Sequence, residues 1–507
     1  MNTIFSIVPR PRNIDFAEKF VAVSSGAIYG EDEFIDTAYL CAKQFSDSGL
    51  PCVVQKQKDI KDSVMKIQLI KDDSVVSKEG YILLINEDEI KIAGCAAQGV
   101  FYGFQTLRQL IMTAPCSSGA IQLPCCRIED APQYQWRGVM LDTCRNFFPV
   151  HFVKKLIDVA SLHKLNRFHW HLTDDQGWRL YVPEYPLLAE IGGFRGNFRA
   201  KWIGKTGGFY TDEEIRDVVE YARQRYVTVV PEIESPGHAL ALLASYPGFG
   251  CTGGPYQVEQ RFGIFDDVLC AGNDEIFKLY GAVYDTVCRL FPGEYLHMGG
   301  DECPRTNWKT CPKCQARIKS QGLAFEDELQ SWMTVRFASM ISERGKIPIG
   351  WDEVLDGTER LGLPQNVVVQ SWRGIEGGIK AASMGHKVIM SPQTQGCYLD
   401  YKNYDDDTEP GWLNSAPLIK SYNYSPIPEG SGMNPDFVLG GQGNLWTEMI
   451  HASRIAEYML FPRLCALSES LWLSSEQKDF ESFSKRLESH KQRLDMLDIR
   501  YYRGLLS

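Results

Sequence analysis

The chain has 507 residues, of which 44% are hydrophobic and 23% are charged, and its formal net charge is −11. This mixture is typical of a globular protein with a substantial core, and it excludes a disordered or fibrous chain. An acidic chain without a basic tract lacks the positive surface that nucleic acids and anionic lipids attract, so neither is expected as a partner.

The sequence gives no sign of membrane insertion. No stretch approaches the roughly 18 consecutive apolar residues of a membrane-spanning helix. The first residues, MNTIFSIVPRPR, have no basic start followed by a long apolar segment, so no signal peptide is recognised. The location stays open between the cytoplasm and, if a leader has been removed, the periplasm or the exterior.

Residues 1–132 are predicted to form a small α+β domain. Apolar residues alternate with polar ones around 65–69 and 90–92, and residues 81–85 form a short apolar run, which predicts three strands. Apolar residues at helical spacing over 100–110 predict a helix. The segment Asp130-Ala-Pro-Gln is interpreted as a linker to a second domain at 133–507.

From Trp136 onwards, strand and helix patterns alternate. Eight strands are predicted, at 137–144, 166–172, 227–232, 294–299, 347–351, 367–371, 387–391 and 437–446. Between them lie amphipathic helices, one of which opens with the capping box formed by Thr211 and Glu214. This order predicts an α/β fold, a (β/α)8 TIM barrel preceded by the small α+β domain. A doubly wound open sheet is the alternative, although no GxGxxG follows the early strands.

Chemically active side chains collect where the predicted strands end, which is the face of a barrel that carries the active site. In chain order they are Asp142, Arg145, Asp174, Asp175, Glu232, Glu234, His238, Asp301, Glu302, Trp351, Trp372, Tyr398, Asp400, Trp446 and Glu448. Chance placement would scatter these residues along the chain.

Six motifs at these strand ends resemble glycoside hydrolase family 20, the β-N-acetylhexosaminidases. They are RGVMLDTCR (137–145), HWHLTDDQGWR (169–179), EIESPGH (232–238), HMGGDE (297–302), GWDE (350–353) and NLWTE (444–448). The N-terminal unit resembles the domain that usually precedes the family's barrel. The resemblance implies a retaining exo-hydrolase that removes terminal GlcNAc or GalNAc from glycans and needs no cofactor. Members of the family occur as monomers and as dimers, so a homodimer is one expectation.

The adjacent pair Asp301 and Glu302 is predicted to carry the chemistry. Glycoside cleavage needs a proton donor and a group that stabilises an oxocarbenium-like centre, and in this family the substrate's own acetamide supplies the second. The resemblance implies that Glu302 is the general acid and then the base. Asp301 would orient the acetamide, and two close carboxylates raise the pKa of one of them, which suits an acid.

The resemblance assigns further roles at the site. Asp174 and His238 would form a hydrogen-bonded relay toward the acid. Tyr398 would bind the acetamide oxygen, with Asp400 close by. Sugar hydroxyls would be bound by Arg145 and Glu448, and the pocket walls would be Trp351, Trp372 and Trp446.

Two groups of metal-ligating residue types are interpreted as non-metal features. His169 and His171 face the same side of a strand, but hydrogen bonding is the simpler role because the family needs no metal. Cys311 and Cys314 form a CxxC with Cys303 upstream, yet no second CxxC completes a four-ligand zinc site. Free or locally paired thiols are therefore expected.

One departure from the family pattern and two alternative functions remain. Glu234 stands where many members have Asp, which is expected to shift local hydrogen bonding without removing activity. A relative that releases a disaccharide such as lacto-N-biose is one alternative function. A non-catalytic carbohydrate-binding protein is the other, although the intact carboxylate pair speaks against it.

Overall fold

A computed structural model of the chain describes residues 6–61, 64–196, 204–404 and 408–504. The predicted domain limits at residues 1 and 507 lie outside this part. The described chain forms an N-terminal sheet with its own hydrophobic core, followed by a closed barrel with a larger one. Among the described helices, none combines the length and the apolar character needed to cross a bilayer.

The N-terminal unit is a mixed sheet. In spatial order its strands are Asn13–Val23, Ala120–Asp130, Tyr81–Ile85, Glu89–Gly94, Met65–Lys71, Gly26–Gly30 and Cys52–Val54, and Cys116–Ser117 pairs with Ala120–Asp130. The three predicted strands are present. Sequence patterns missed Asn13–Val23 because most of its side chains are exposed, so hydrophobic residues do not alternate along it.

Two helices accompany this sheet, Ile35–Asp47 and the predicted one, Ala97–Thr113. The second is buried on nearly all sides because it lies between the sheet and the barrel helices Val150–Leu162 and Phe480–Met496. Its wide apolar surface follows from this position.

The second unit is a closed barrel of eight parallel strands. In order they are Trp136–Asp142, Arg167–His171, Thr228–Glu232, Tyr295–His297, Ile347–Trp351, Val368–Ser371, Val388–Met390 and Val438–Leu445. The eighth strand pairs with the first, which closes the barrel. The predicted TIM barrel is confirmed, and the doubly wound alternative is wrong because an open sheet would leave these two strands as edges.

Helices surround the barrel. The longer ones are Val150–Leu162, Asp212–Arg223, Glu275–Leu290, Pro312–Ser320, Glu326–Glu343, Glu376–Ser383, Ser453–Leu460, Arg463–Trp472 and Phe480–Met496, and the shorter ones are Leu187–Glu190, Leu240–Ser245, Thr306–Thr310, Thr358–Leu361 and Leu418–Asn423. The capping box at Thr211 is formed as predicted. Among the described residues, three two-stranded sheets lie in the loops: Thr173–Asp174 with Gly177–Trp178, Phe194–Gly196 with Lys205–Gly207, and Tyr401–Lys402 with Trp412–Ser415.

Asp130, predicted to begin a linker, is instead the last residue of a strand and a buried contact between the two units. Its carboxylate accepts hydrogen bonds from Tyr81 Oη at 2.7 Å, Lys164 Nζ at 3.0 Å and Trp472 Nε1 at 2.8 Å. The side chains of Asp130 and Lys164 are fully buried. A charged pair of this kind needs all of its hydrogen bonds to offset the cost of leaving water.

Candidate functional site

A cavity of about 380 Å³ opens at the carboxyl ends of the barrel strands. This volume lies in the range of small-molecule sites. Its walls are Arg145, Asp301, Glu302, Trp351, Trp372, Tyr398, Asp400, Tyr401, Trp412, Asn414, Trp446 and Glu448. Every residue to which the sequence analysis assigned a role at the site lines the cavity, except Asp174 and His238, which lie behind the carboxylates. Sequence reasoning missed Tyr401, Trp412 and Asn414, which belong to a short sheet in a loop and carry no motif.

The HMGGDE segment turns sharply so that both carboxylates face the cavity. Gly299 and Gly300 have left-handed backbone angles, with φ of 68° and 109°. A side chain at Gly299 would overlap the carboxylate of Glu234, so the segment needs glycine there for space as well as for conformation. Glu302 itself has φ of 43°, a conformation that costs a non-glycine residue about 1–3 kcal/mol and that clusters at functional sites.

His238 connects the two carboxylates to a second acidic pair. Its Nε2 atom lies 3.6 Å from Asp301 Oδ2 and 3.7 Å from Glu302 Oε2. On the other side of the ring, Nδ1 lies 3.0 Å from Asp175 Oδ2 and 3.3 Å from Asp174 Oδ1. The nearer partner is Asp175, which stands beside Asp174 at the same strand end and to which the resemblance assigned no role.

Asp174 instead forms its short contacts with Arg145 and His171. Its Oδ2 atom is 2.9 Å from Arg145 Nη2 and 2.9 Å from His171 Nε2. Burial would raise the pKa of Asp174, but the charges of Arg145 and His238 hold it well below its usual range. Asp174 is therefore an anion that anchors Arg145 at the cavity wall.

The electrostatic setting favours a protonated carboxyl at Glu302. Burial raises its pKa, the charge of Asp301 raises it further, and His238 and Arg145 lower it in part. Burial also raises the pKa of Asp301. Although burial opposes charge on His238, the charges of Asp174 and Asp301 raise its pKa well above the usual value, so the ring is a cation between carboxylates.

Below the cavity, three histidines and a tryptophan contact the carboxylate of Glu232. His171 Nδ1 is 2.5 Å from one carboxylate oxygen, and His169 Nε2 is 2.9 Å from the same atom. His297 Nδ1 and Trp351 Nε1 lie 2.9 and 2.8 Å from the other oxygen. Both predicted strand histidines thus contact a carboxylate that orients the Trp351 ring. The absence of a catalytic metal stays a prediction.

The other aromatic walls are also held by polar contacts. Trp372 Nε1 donates to Glu353 Oε2 at 2.9 Å, and the Trp372 ring stacks on Tyr398 at 6.3 Å with an interplanar angle of 12°. The guanidinium of Arg145 lies 5.0 Å from the centre of the Trp446 ring. Glu353 had no predicted role, and burial together with the charge of Asp301 raises its pKa to about 9. A neutral Glu353 limits the negative charge around the cavity.

Three buried carboxylate oxygens of the cavity-lining residues have no hydrogen-bond partner in the part of the chain that the structure describes. They are Asp301 Oδ1, Asp400 Oδ1 and Glu448 Oε2. Leaving a buried acceptor unpaired costs about 1–3 kcal/mol. Because all three residues line the cavity, a ligand rich in O–H and N–H donors would satisfy them. The aromatic walls offer the apolar faces that a sugar ring also needs.

Comparisons with known proteins agree with this architecture. The family model described as glycosyl hydrolase family 20, catalytic domain, matches residues 134–475, and the one described as glycosyl hydrolase family 20, domain 2, matches residues 5–131. A beta-hexosaminidase of Porphyromonas gingivalis is 43% identical over 433 residues, which are 84% of this chain and 55% of the relative. One of Vibrio furnissii is 32% identical over 480 residues, covering 92% and 76%. The chain thus spans about half the length of the first relative.

Solved structures give the same result. A GH20 exo beta-N-acetylglucosaminidase of Vibrio harveyi, in complex with N-acetylglucosamine, has a TM-score of 0.87 and 30% identity, covering 99% of this chain and 78% of that one. A beta-N-acetylhexosaminidase of Bacteroides fragilis has a TM-score of 0.84 and 30% identity, covering 98% and 97%. Family models, relatives and structures all support the resemblance seen in the motifs, and the chain belongs to glycosyl hydrolase family 20.

Proposed function

We propose that the protein is a retaining exo-β-N-acetylhexosaminidase that removes terminal, non-reducing GlcNAc or GalNAc from glycans. The observation that carries the proposal is the pair Asp301 and Glu302, which share one aromatic-walled cavity with a cationic His238 behind them. Relatives of the same family are named beta-hexosaminidases. A terminal sugar with an acetamide would supply both the donors and the nucleophile that this cavity suits.

In the first step, the acetamide oxygen attacks C1 while the bond from C1 to the leaving oxygen breaks. Glu302 gives its proton to that oxygen, and its raised pKa favours the protonated form that this role needs. Asp301 accepts the acetamide N–H and offsets the positive charge of the resulting oxazolinium ring. The unpaired Oδ1 atom of Asp301 is the candidate acceptor.

In the second step, Glu302, now a carboxylate, takes a proton from water. The water oxygen attacks C1, the bond from C1 to the acetamide oxygen breaks, and the sugar leaves with retained configuration. This route belongs to the substrate-assisted group of glycosidases, in which no second carboxylate attacks the sugar.

The remaining residues would bind and orient the sugar. Arg145 and Glu448 would bind hydroxyls, and Asp400 has a buried unpaired oxygen for another donor. Trp351, Trp372 and Trp446 would enclose the ring and the acetamide methyl, and Tyr398 would donate to the acetamide oxygen. His238, with Asp174 and Asp175, would set the charge that Glu302 experiences.

The first test compares nitrophenyl β-GlcNAc, β-GalNAc and β-glucoside. Turnover of the acetamido sugars without the glucoside would support substrate assistance and rank the two epimers. Turnover of the glucoside would contradict it, because that sugar has no acetamide. If none of the three substrates is hydrolysed but lacto-N-biose is released from its aryl glycoside, the disaccharide-releasing alternative would be favoured. Sugar binding without any turnover would favour the non-catalytic one.

A second test separates the acid role of Glu302 from general damage. Glu302→Gln is expected to lower kcat/KM about 10²- to 10⁴-fold on substrates with poor leaving groups, which is the usual contribution of a general acid. It should affect activated aryl glycosides much less in the first step. The control is Glu343→Gln, at an exposed glutamate on a barrel helix. Equal losses on both substrate types would remove Glu302 from the acid role.

The proposal also covers the division of the chain into domains and its oligomeric state. Residues 1–132 would form one domain and 133–507 the catalytic one, with the first supporting the barrel. The assembly stays open between a monomer and a homodimer, and sedimentation of the purified chain distinguishes the two masses.

A further inference from the structure

Four cysteines from separate parts of the chain meet beside the barrel. Cys251 follows the short turn Pro247–Phe249, and Cys270 precedes the helix Glu275–Leu290. Cys311 and Cys314 stand at the start of the helix Pro312–Ser320. All four are free thiols; three are buried and Cys251 is partly so. Their sulfur atoms lie within 4.8 Å of one another.

The spacing of these sulfur atoms matches a tetrahedral metal site. Cys251 Sγ is 3.8 Å from Cys314 Sγ, and Cys270 Sγ is 3.7 Å from both Cys311 Sγ and Cys314 Sγ. Four thiolates at about 2.3 Å from one zinc ion would have their sulfurs about 3.8 Å apart. Cys270 is equally close to two partners, which suits a shared centre better than two separate cysteine pairs.

The surrounding backbone is shaped to hold the cluster. A side chain at Gly272 would overlap the backbone of Lys313, so the two chain segments approach as closely as glycine allows. Trp308 Nε1 donates to the carbonyl of Leu269 at 2.9 Å and ties the same segments together. Such outer contacts orient metal ligands.

We propose that Cys251, Cys270, Cys311 and Cys314 bind one structural Zn²⁺ ion as a tetrathiolate. Binding would release the thiol protons to solvent as four zinc–sulfur bonds form, with no change in oxidation state. All four tetrahedral positions are filled by protein, so the ion would be structural rather than catalytic.

The interpretation of the cysteines as free or locally paired thiols rested on the lack of a second CxxC. The structure brings two single cysteines to the CxxC instead. Cys303, the residue that stood upstream of the CxxC, is not part of the cluster.

The proposed zinc ion would join two loops that border the cavity. Cys251 and Cys270 lie in the loop after the third barrel strand, and Cys311 and Cys314 lie in the loop after the fourth, which also carries Asp301 and Glu302. Between its two cysteines, the first loop has little regular structure. It contacts the residues beside the site: Glu259 N donates to Asp175 O at 3.0 Å, and Gln176 Nε2 donates to Arg261 O at 2.8 Å. Zinc would hold this loop in place against the catalytic wall.

The experiment measures metal in the purified full chain, independently of any activity. Mass spectrometry of metals should find about one zinc per chain, and X-ray absorption should find four sulfur ligands at about 2.3 Å. Zinc below about one tenth per chain, iron in its place, or nitrogen and oxygen ligands would overturn the proposal. So would two disulfides among these cysteines in the intact mass.

Substitutions of single cysteines test which residues bind the proposed zinc ion. Cys314→Ser should lose most of the bound zinc, whereas Cys251→His should retain it because Cys₃His is a common structural zinc set. Cys288→Ser is the matched control, at a partly buried cysteine outside the cluster. Loss of zinc from the control as large as from Cys314→Ser would overturn the assignment. If Cys314→Ser does not fold, the absorption measurement on the unmodified chain still decides.

Discussion

The buried ion pair between Asp130 and Lys164 makes a quantitative stability prediction. Both side chains are fully buried at the contact between the two units. In Asp130→Asn the side-chain amide keeps the shape of the carboxylate. Because both carboxylate oxygens accept hydrogen bonds in the native protein, the new NH₂ group must face a hydrogen-bond donor instead of an acceptor. Lys164 is then left without its counter-charge.

The expected loss in the free energy of unfolding follows from that geometry. Removing one partner of a buried ion pair typically costs about 3–5 kcal/mol, because the other charge stays buried without compensation. Such a loss is a large part of the roughly 5–15 kcal/mol by which most proteins are stable. Adding Lys164→Met to Asp130→Asn removes the unpaired ammonium charge. The double variant should therefore recover about half of the lost free energy of unfolding.

Urea unfolding, followed by circular dichroism and by tryptophan fluorescence, measures these differences. Agreement of the two probes is needed because a chain with two packed units can unfold in more than one step. Burial lowers the pKa of Lys164, and Asp130 opposes that effect. The unfolded chain therefore binds the lysine proton more tightly than the folded one, and the loss in Asp130→Asn should shrink as pH rises.

Two results would refute the reasoning. A cost below about 1 kcal/mol would mean that the pair is not desolvated as described. A double variant less stable than Asp130→Asn alone would mean that Lys164 contributes by packing rather than by charge. The matched control is Glu129→Gln, whose half-exposed side chain precedes Asp130 in the same strand, and it should stay within about 0.5 kcal/mol.

Three further predictions concern the cavity. Asp301→Asn removes a charge that raises the pKa of Glu302, so the basic limb of the pH profile of residual kcat/KM should move to lower pH; an unmoved limb would mean that another group titrates there. Gly299→Ala should reduce kcat at least tenfold by displacing Glu302, whereas Gly322→Ala, also left-handed but in open space, should cost only about 1 kcal/mol of stability; equal kinetics for both would contradict the steric argument. Trp446→Ala should raise KM about tenfold, because losing one aromatic contact costs about 0.5–1.5 kcal/mol beyond the buried area, and calorimetry with GlcNAc would detect the same change.

The sequence by itself determined the barrel and most of the cavity wall. Parallel strands buried on both faces are mostly short and rich in apolar residues, and their alternation with amphipathic helices made all eight recognisable from local patterns. The motifs at their ends follow because parallel strands bring their carboxyl ends to one rim. Local patterns failed at Asn13–Val23, whose exposed side chains do not alternate, and at the loop residues Trp412 and Asn414, which carry no periodic signal.

Only the tertiary structure decided which groups become partners. Asp175 rather than Asp174 is nearest to His238, although the two aspartates are neighbours in sequence. Asp130 meets Trp472 across the contact between the two units. The four clustered cysteines come from loops that follow different strands. Sequence periodicity reports which side of an element is buried, whereas these contacts depend on how distant elements pack, and that is set only when the whole chain has folded.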